Sequence, residues 1–136
     1  MTPFNLKIIT PDRVFYEGQA ENVIVRTTVG DKGILARHES YVAALPIGKM
    51  RVMTASEPGK FKTAAISTGT VRVEENGDNV VLVQSCEWSD SIDVPRAEAA
   101  KQRAEQRLSD PDVTLVEHEI AEFKLKRALN KLDAAE

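Results

Sequence analysis

Apolar and polar residues alternate from the start of the chain. Phe4, Leu6 and Ile8 share one parity, and Asn5 and Lys7 take the other. Alternation with a period of about two predicts a strand with one buried face. Thr10-Pro11-Asp12 is turn chemistry, because proline presets φ and aspartate can bond its own backbone. The pattern next predicts a short strand over Arg13–Tyr16, a turn at Glu17-Gly18, and a strand over Glu21–Thr27 with Val23 and Val25 on one face. Gly30-Asp31-Lys32-Gly33 reads as a tight polar loop before the apolar pair Ile34-Leu35. Further strands are predicted over Tyr41–Leu45, Lys49–Thr54, Phe61–Ile66, Thr70–Glu74 and Asn79–Gln84. Asn76-Gly77 marks a hairpin, since both residues tolerate positive φ. Roughly eight to ten short strands, with turns about every 8–12 residues, predict a sandwich or barrel. No helical segment lies between them, which disfavours a parallel βαβ fold.

The period then changes once, near residue 90. From Val94 to Leu132 there is no glycine, and the pattern is helical, broken at Ser109-Asp110-Pro111. Asp93 before Val94-Pro95 predicts a helix start, with aspartate accepting orphan N–H groups and proline in the first turn. Ala97, Ala100, Ala104 and Leu108 recur at about 3.6-residue spacing on one stripe. Ser109-Asp110-Pro111-Asp112 is expected to stop this helix and cap a second. Val113, Val116, Ile120 and Phe123, then Ala128, Leu129 and Leu132, are expected to form the second helix's apolar face. Glu122 and Lys126 are ordered for an i,i+4 pair. Two units follow: a β-sandwich over residues 1–88 and an α-helical hairpin over residues 89–136. Isolated helices of this length are only marginally stable, so each needs its neighbour, the β unit or another protein. An alanine seam allows close approach but buries little area, and it suits a hairpin that opens at modest cost. A permanently docked hairpin fits the same pattern.

Composition narrows the function. A formal net charge of -3 over 136 residues gives no electrostatic reason to expect nucleic acid. A lone cysteine, Cys86, excludes an internal disulfide and a cysteine-built metal site, and it fits a reducing compartment. No apolar run approaches the ~20 residues of a membrane span, and the N-terminus lacks a signal-peptide pattern. His38 and His118 lie far apart in sequence, Cys86 has no histidine near it, and neither a P-loop nor HExxH is present. No catalytic constellation stands out and no metal site is predicted.

Several segments carry a family resemblance. Gly30-Asp31-Lys32-Gly33-Ile34-Leu35-Ala36-Arg37-His38 resembles the GxxGILxxH signature of the epsilon subunit of bacterial rotary F-type ATP synthases. Ala65-Ile66-Ser67-Thr68-Gly69-Thr70-Val71-Arg72-Val73, with Asn76 and Val80-Val81-Leu82-Val83, resembles that family's second β signature. Ile92-Asp93-Val94-Pro95-Arg96-Ala97 resembles its I-D-x-x-R-A motif, and Thr10-Pro11 with Phe15-Tyr16-Glu17-Gly18 and Ala20-Glu21 also fits. The likeness runs through nearly the whole chain in order. Ala36, Ser40 and Thr70 stand where the family often has proline, proline and an aromatic.

The resemblance implies an antiparallel β-sandwich of about ten strands, followed by a two-helix antiparallel hairpin. It implies a non-catalytic central-stalk subunit at the cytoplasmic face of the bacterial inner membrane, peripheral and held there only through the complex. Its partners would be the gamma subunit, the c-ring and, when the hairpin extends, the catalytic alpha and beta subunits. By position, Gly30, Asp31, Lys32 and Gly33 would touch the c-ring, and Arg37, His38, Tyr41 and Val42 would meet gamma. Lys124, Lys126, Arg127 and Lys131 would meet an acidic stretch of beta in an inhibitory, extended state. No cofactor is required. Some members bind ATP as a regulatory ligand through the I-D-x-x-R-A motif and arginines of both helices; Glu87, Ile92, Asp93, Arg96, Ala97 and Arg103 match the first part, while the second helix offers Arg127 among lysines instead of a clear arginine pair, and Asp93 as a helix cap with Arg96 in a local ion pair is the simpler account. Two other classes compete. A free-standing nucleotide-sensing module of this fold would bind ATP tightly without an obligate partner, and a small β-sandwich enzyme would need a polar pocket that the sequence does not advertise.

Overall fold

Strands form where the alternation begins. In the computed structural model, which describes residues 2–28, 30–34 and 40–136, Phe4–Thr10 is β1, and its Phe4, Leu6 and Ile8 are buried. Each large aliphatic side chain so buried contributes roughly 1.5–3 kcal/mol. Arg13–Thr27 is a single strand of 15 residues, β2. The expected turn at Glu17-Gly18 is absent, because Gly18 pairs in register with Leu6 of β1. The Tyr16 ring folds over that glycine, and its hydroxyl donates to the Gln19 carbonyl at 3.1 Å. Past a register shift between Ala20 and Asn22, β2 leaves β1 and pairs with Gly30–Ile34 (β3) and Gly48–Thr54 (β5). One long strand thereby serves both layers.

The predicted polar loop at Gly30–Gly33 is part of β3. Gly30, at φ 119°, makes the reversal just ahead of it, and Thr27 Oγ1 donates to the Gly30 carbonyl at 2.8 Å. Tyr41–Leu45 (β4), Lys62–Ile66 (β6), Gly69–Val73 (β7), Asp78–Val83 (β8) and Cys86–Trp88 (β9) complete nine strands among the described residues. Their order is β4-β7-β8-β1-β2-β5-β6-β9, with β3 on β2. The sandwich is antiparallel except between β1 and β8, which pair parallel from Asn5↔Asp78 to Ile9↔Leu82. A parallel pair cannot be closed by a tight hairpin, and here the intervening strands make the crossover. Leu6, Ile8, Val23, Val25, Ile34, Met50, Val52, Val71, Val73 and Val81 fill the core.

The chain divides into two compact units, Met1–Trp88 and Ser89–Glu136. The second opens with a 3-10 turn at Ser89–Ser91, then α1 (Val94–Ser109) and α2 (Leu115–Ala135). Asp93 caps α1, accepting from Arg96 N at 3.1 Å. The cap of α2 is Thr114 rather than Asp112: its hydroxyl accepts from Glu117 N at 3.1 Å, and Thr114-x-x-Glu117 has capping-box spacing. Asp110 instead closes the end of α1 and accepts from Asp112 N.

The buried positions of the helices are alanines: Ala97 and Ala104 in α1, Ala121, Ala128 and Ala134 in α2. Val116, Ile120, Phe123 and Leu129, expected as the apolar face, are exposed, and Val113 precedes the helix. Helices approach closely only where side chains are small, so the alanine rows take the seam and the larger residues fall to its flanks. A methyl group buries about 0.8 kcal/mol, well below a leucine. Glu122 lies 3.2 Å from His118 Nδ1, one turn back, in place of the expected pair with Lys126.

Candidate functional site

The strand ladder assembles a largely apolar row, with Thr70 within it, on the solvent side of the sandwich. Ala44 of β4 pairs with Thr70 of β7, Thr70 with Leu82 of β8, Leu82 with Ile9 of β1, and Ile9 with Val14 of β2. Strand side chains alternate between faces, so this row points away from the core residues Val71, Val81 and Ile8. Leu82 is 48% exposed, Val14 50%, and Val42, two residues along β4, 66%. A contiguous exposed apolar patch on a small domain marks an interaction surface. Of these residues only Val42, beside the row, was legible as a site residue. The overlooked signal was in β8, where Val80-Val81-Leu82-Val83 is apolar at both parities although one face meets solvent.

Tyr41 packs against the core from β4, and the Lys32 ammonium sits 3.9 Å above its ring centroid. Arg37 and His38, the other expected gamma contacts, lie outside the described residues. Asp31 stands opposite Arg26 in the β2–β3 ladder, and the two form an ion pair at 3.1 Å. Both charges of the glycine-flanked segment are thus held by neighbours within the sandwich. All four residues Gly30, Asp31, Lys32 and Gly33 remain exposed.

The helical unit holds a groove of about 600 Å³. Ala100, Arg103, Ala104 and Arg107 line it from α1, and Glu117, Ile120, Ala121 and Lys124 from α2. Arg107 Nη2 donates to Glu117 Oε2 at 2.7 Å, joining the last turn of α1 to the first of α2. Among the described residues, Arg103 and Lys124 have no ion-pair partner.

The residues expected to hold a nucleotide are dispersed in role. Glu87 belongs to β9. In the helical unit, Asp93 is engaged as the α1 cap, Ala97 is buried in the seam, Ile92 is half-buried, and Arg96 is exposed. Of the set, only Arg103 lines the groove. Arg127 stacks toward Phe123 at 6.0 Å, and its buried Nε has no hydrogen-bond partner. On the same helix Lys124 and Lys126 are exposed, and Lys131 is half-buried with contacts of its own.

Cys86 is buried in β9, and burial pushes its thiol up to about 12. A thiol so disfavoured as thiolate is not a nucleophile at neutral pH. Among the described residues no group of His, Cys, Asp or Glu is arranged to hold a metal. A smaller groove of about 360 Å³ beside β1, β2 and β8 has two pairs of its lining residues joined to each other, Lys7–Glu17 at 3.2 Å and Asn5–Asp78 at 2.8 Å.

A sandwich with an exposed apolar row, followed by a hairpin on a thin alanine seam, defines a protein whose surfaces are built for partners. Comparison with known proteins carries this further. Residues 3–89 match the beta-sandwich domain of the ATP synthase delta/epsilon chain, and residues 90–136 match its long alpha-helix domain. The chain is 43% identical to an ATP synthase epsilon chain of Ruminococcus albus over 135 residues, covering 99% of this chain and 98% of that one. It is 48% identical to the epsilon chain of Alkaliphilus oremlandii over 106 residues, 78% of this chain and 76% of the other. In fold it resembles a chain of the Euglena gracilis mitochondrial ATP synthase OSCP/F1/c-ring assembly, with a TM-score of 0.81, 24% identity, and coverage of 99% of this chain and 82% of that one. The chain belongs to the ATP synthase delta/epsilon chain family. No helix among the described residues is long and apolar enough to cross a membrane.

Proposed function

We propose that this chain is a non-catalytic rotor subunit of a proton-translocating ATP synthase. In this reading the sandwich couples gamma to the c-ring, and the hairpin restrains ATP hydrolysis. The observation that carries it is the 43% identity, across both units, to a protein named ATP synthase epsilon chain. The chain would sit at the cytoplasmic face of the inner membrane through its partners alone.

The geometry supports a division of labour. Torque needs a stiff element, and the sandwich core is closed by large aliphatic side chains from its strands. The row from Ala44 to Val14, with Val42, is the apolar surface on which gamma would seat, since aromatic and apolar centres anchor such interfaces. The exposed Gly30–Gly33 segment would face the polar loops of the c-ring. The alanine seam suits a two-state hairpin, because an equilibrium between states must lie within a few kcal/mol to be switched by a ligand or partner. In the extended state Lys124, Lys126, Arg127 and Lys131 would meet acidic residues of beta. ATP would act as a regulatory ligand of the paired hairpin.

The test is reconstitution of the complex with the full chain and with a chain lacking residues 93–136. Both should recover gamma and the c-ring from mild detergent, and the shortened chain should give faster ATP hydrolysis. Failure of the full chain to recover gamma would remove the rotor assignment, leaving a free-standing nucleotide sensor. Equal hydrolysis rates would remove the brake.

A further inference from the structure

The second helix carries an apolar stripe that stays exposed when the hairpin is paired. Val116, Ile120 and Phe123 recur at i, i+4 and i+7, so they stand above one another on one side of α2. They are 64%, 50% and 40% exposed, whereas the buried Ala121 and Ala128 mark the side turned to α1. Glu117 and Lys124 border the stripe along the groove. Glu119 and Lys126, both exposed, border its other side. Exposed apolar stripes with polar borders mark association surfaces. We propose that this stripe is a self-association surface, on which α2 of a second copy of the chain lies antiparallel about a two-fold axis at Ile120.

The charge pattern selects this occupant. A two-fold contact is self-complementary, so each pairing across it occurs twice. With the axis at Ile120, Val116 before it falls opposite Phe123 of the second copy after it. Glu117 and Lys124 stand at matching offsets, so each Lys124 ammonium meets the Glu117 carboxylate of the other copy. Lys124 has no ion-pair partner among the described residues. The Glu117 oxygens each accept one bond, from Arg107 at 2.7 Å and Thr114 at 3.2 Å, and each keeps a lone pair for another donor. A parallel pairing would instead set Glu117 against Glu117 and Lys124 against Lys124, which like-charge repulsion disfavours. One acid and one base per copy, Glu119 and Lys126, leave the opposite border without a row of like charges. Two turns of helix from each copy make a small interface, so the dissociation constant should be on the order of 100 μM. Self-pairing of the free chain does not depend on a place in a rotor. It engages Lys124 and the stripe, and so withholds both from any other protein.

Sedimentation equilibrium of the full chain from about 10 μM to about 1 mM tests the surface, with far-UV circular dichroism to establish that each variant is folded. The native chain should pass from monomer to dimer across this range, and added salt should weaken the dimer through its bordering ion pairs. Ile120→Glu sets two carboxylates face to face at the axis and should weaken the dimer by about tenfold or more. Lys124→Glu, at an exposed position, opposes Glu117 with a like charge and should weaken it by about fivefold or more. Leu129 is 45% exposed but lies six residues beyond Phe123, away from the stripe. Leu129→Glu should therefore change the dimer by no more than about twofold. A native chain that stays monomeric throughout would overturn the proposal. A dimer that tolerates Ile120→Glu but dissociates in Val42→Asp would overturn it as well, by placing the contact on the sandwich. Equal weakening by Leu129→Glu and Ile120→Glu would overturn the stripe, and a dimer indifferent to Lys124→Glu would overturn the antiparallel pairing.

Discussion

Gly69 of β7 lies so close to the Leu82 carbonyl of β8 that a methyl group on its Cα would collide with the carbonyl oxygen. The neighbouring atoms are backbone, the Leu82 carbonyl and the Val83 Cα, so nothing there can rotate away. Gly69→Ala should therefore cost about 3 kcal/mol or more, by forcing the β7–β8 ladder apart. Gly59, at φ 81° with open space around it, should lose only about 1 kcal/mol on the same change. Urea unfolding of the two variants checks the difference, and equal costs would refute the steric account.

The caps of the hairpin make a second comparison. Asp93→Ala and Thr114→Ala each remove a side-chain acceptor from a helix N-terminus, and each should lower stability by about 1 kcal/mol. Asp112→Ala should stay within about 0.5 kcal/mol, since Thr114 occupies the cap of α2. Amide hydrogen exchange across residues 93–135 reports the loss in the unit where it occurs.

The buried thiol gives a pH-dependent prediction. Cys86 has its folded pKa raised from 9.0 to about 12 by burial. The folded state then keeps a proton that the unfolded chain releases, so this contribution to stability is complete below about pH 9 and is lost as pH rises toward 12. Cys86→Ala should flatten the fall of the melting temperature over that alkaline window. At pH 8 the native thiol should resist alkylation and should react when the chain is unfolded in urea.

Val42 separates folding from association. It is 66% exposed on β4, opposite Arg72 of β7. Val42→Asp should leave the isolated chain within about 0.5 kcal/mol of native stability, because the new carboxylate faces solvent and a guanidinium. Recovery of gamma should weaken by about tenfold or more if Val42 belongs to the apolar seat. An unchanged recovery would move gamma off this face.

The alternation of Phe4, Leu6 and Ile8 made the first strand and its buried face legible, because the period of a strand is a local property of the backbone. The start of α1 was equally legible, since Asp93 reaches a donor only three residues away. Glu17-Gly18 misled for the opposite reason. Glycine can serve a turn or sit within a strand, and only the pairing of Gly18 with Leu6 of β1 decides which. The same holds for Gly30–Gly33, where pairing with β2 turned an expected loop into a strand.

The site divides along the same line. Exposed charges such as Lys124 and Arg103 were visible singly, but their convergence on one groove depends on how two helices face each other. The apolar row from Ala44 to Val14 draws on five strands, and residues so far apart in sequence carry no sign of sharing a face. Sequence alone determined the change from strand to helix and the inward parity of β1, since both follow from periodicity over a few residues. The tertiary structure alone decided that Ala121 joins Ala128 in the buried row of the second helix while Ile120 and Phe123 face solvent. Close approach of two helices selects the smallest side chains, and no single helix's pattern records which of its faces the partner will meet.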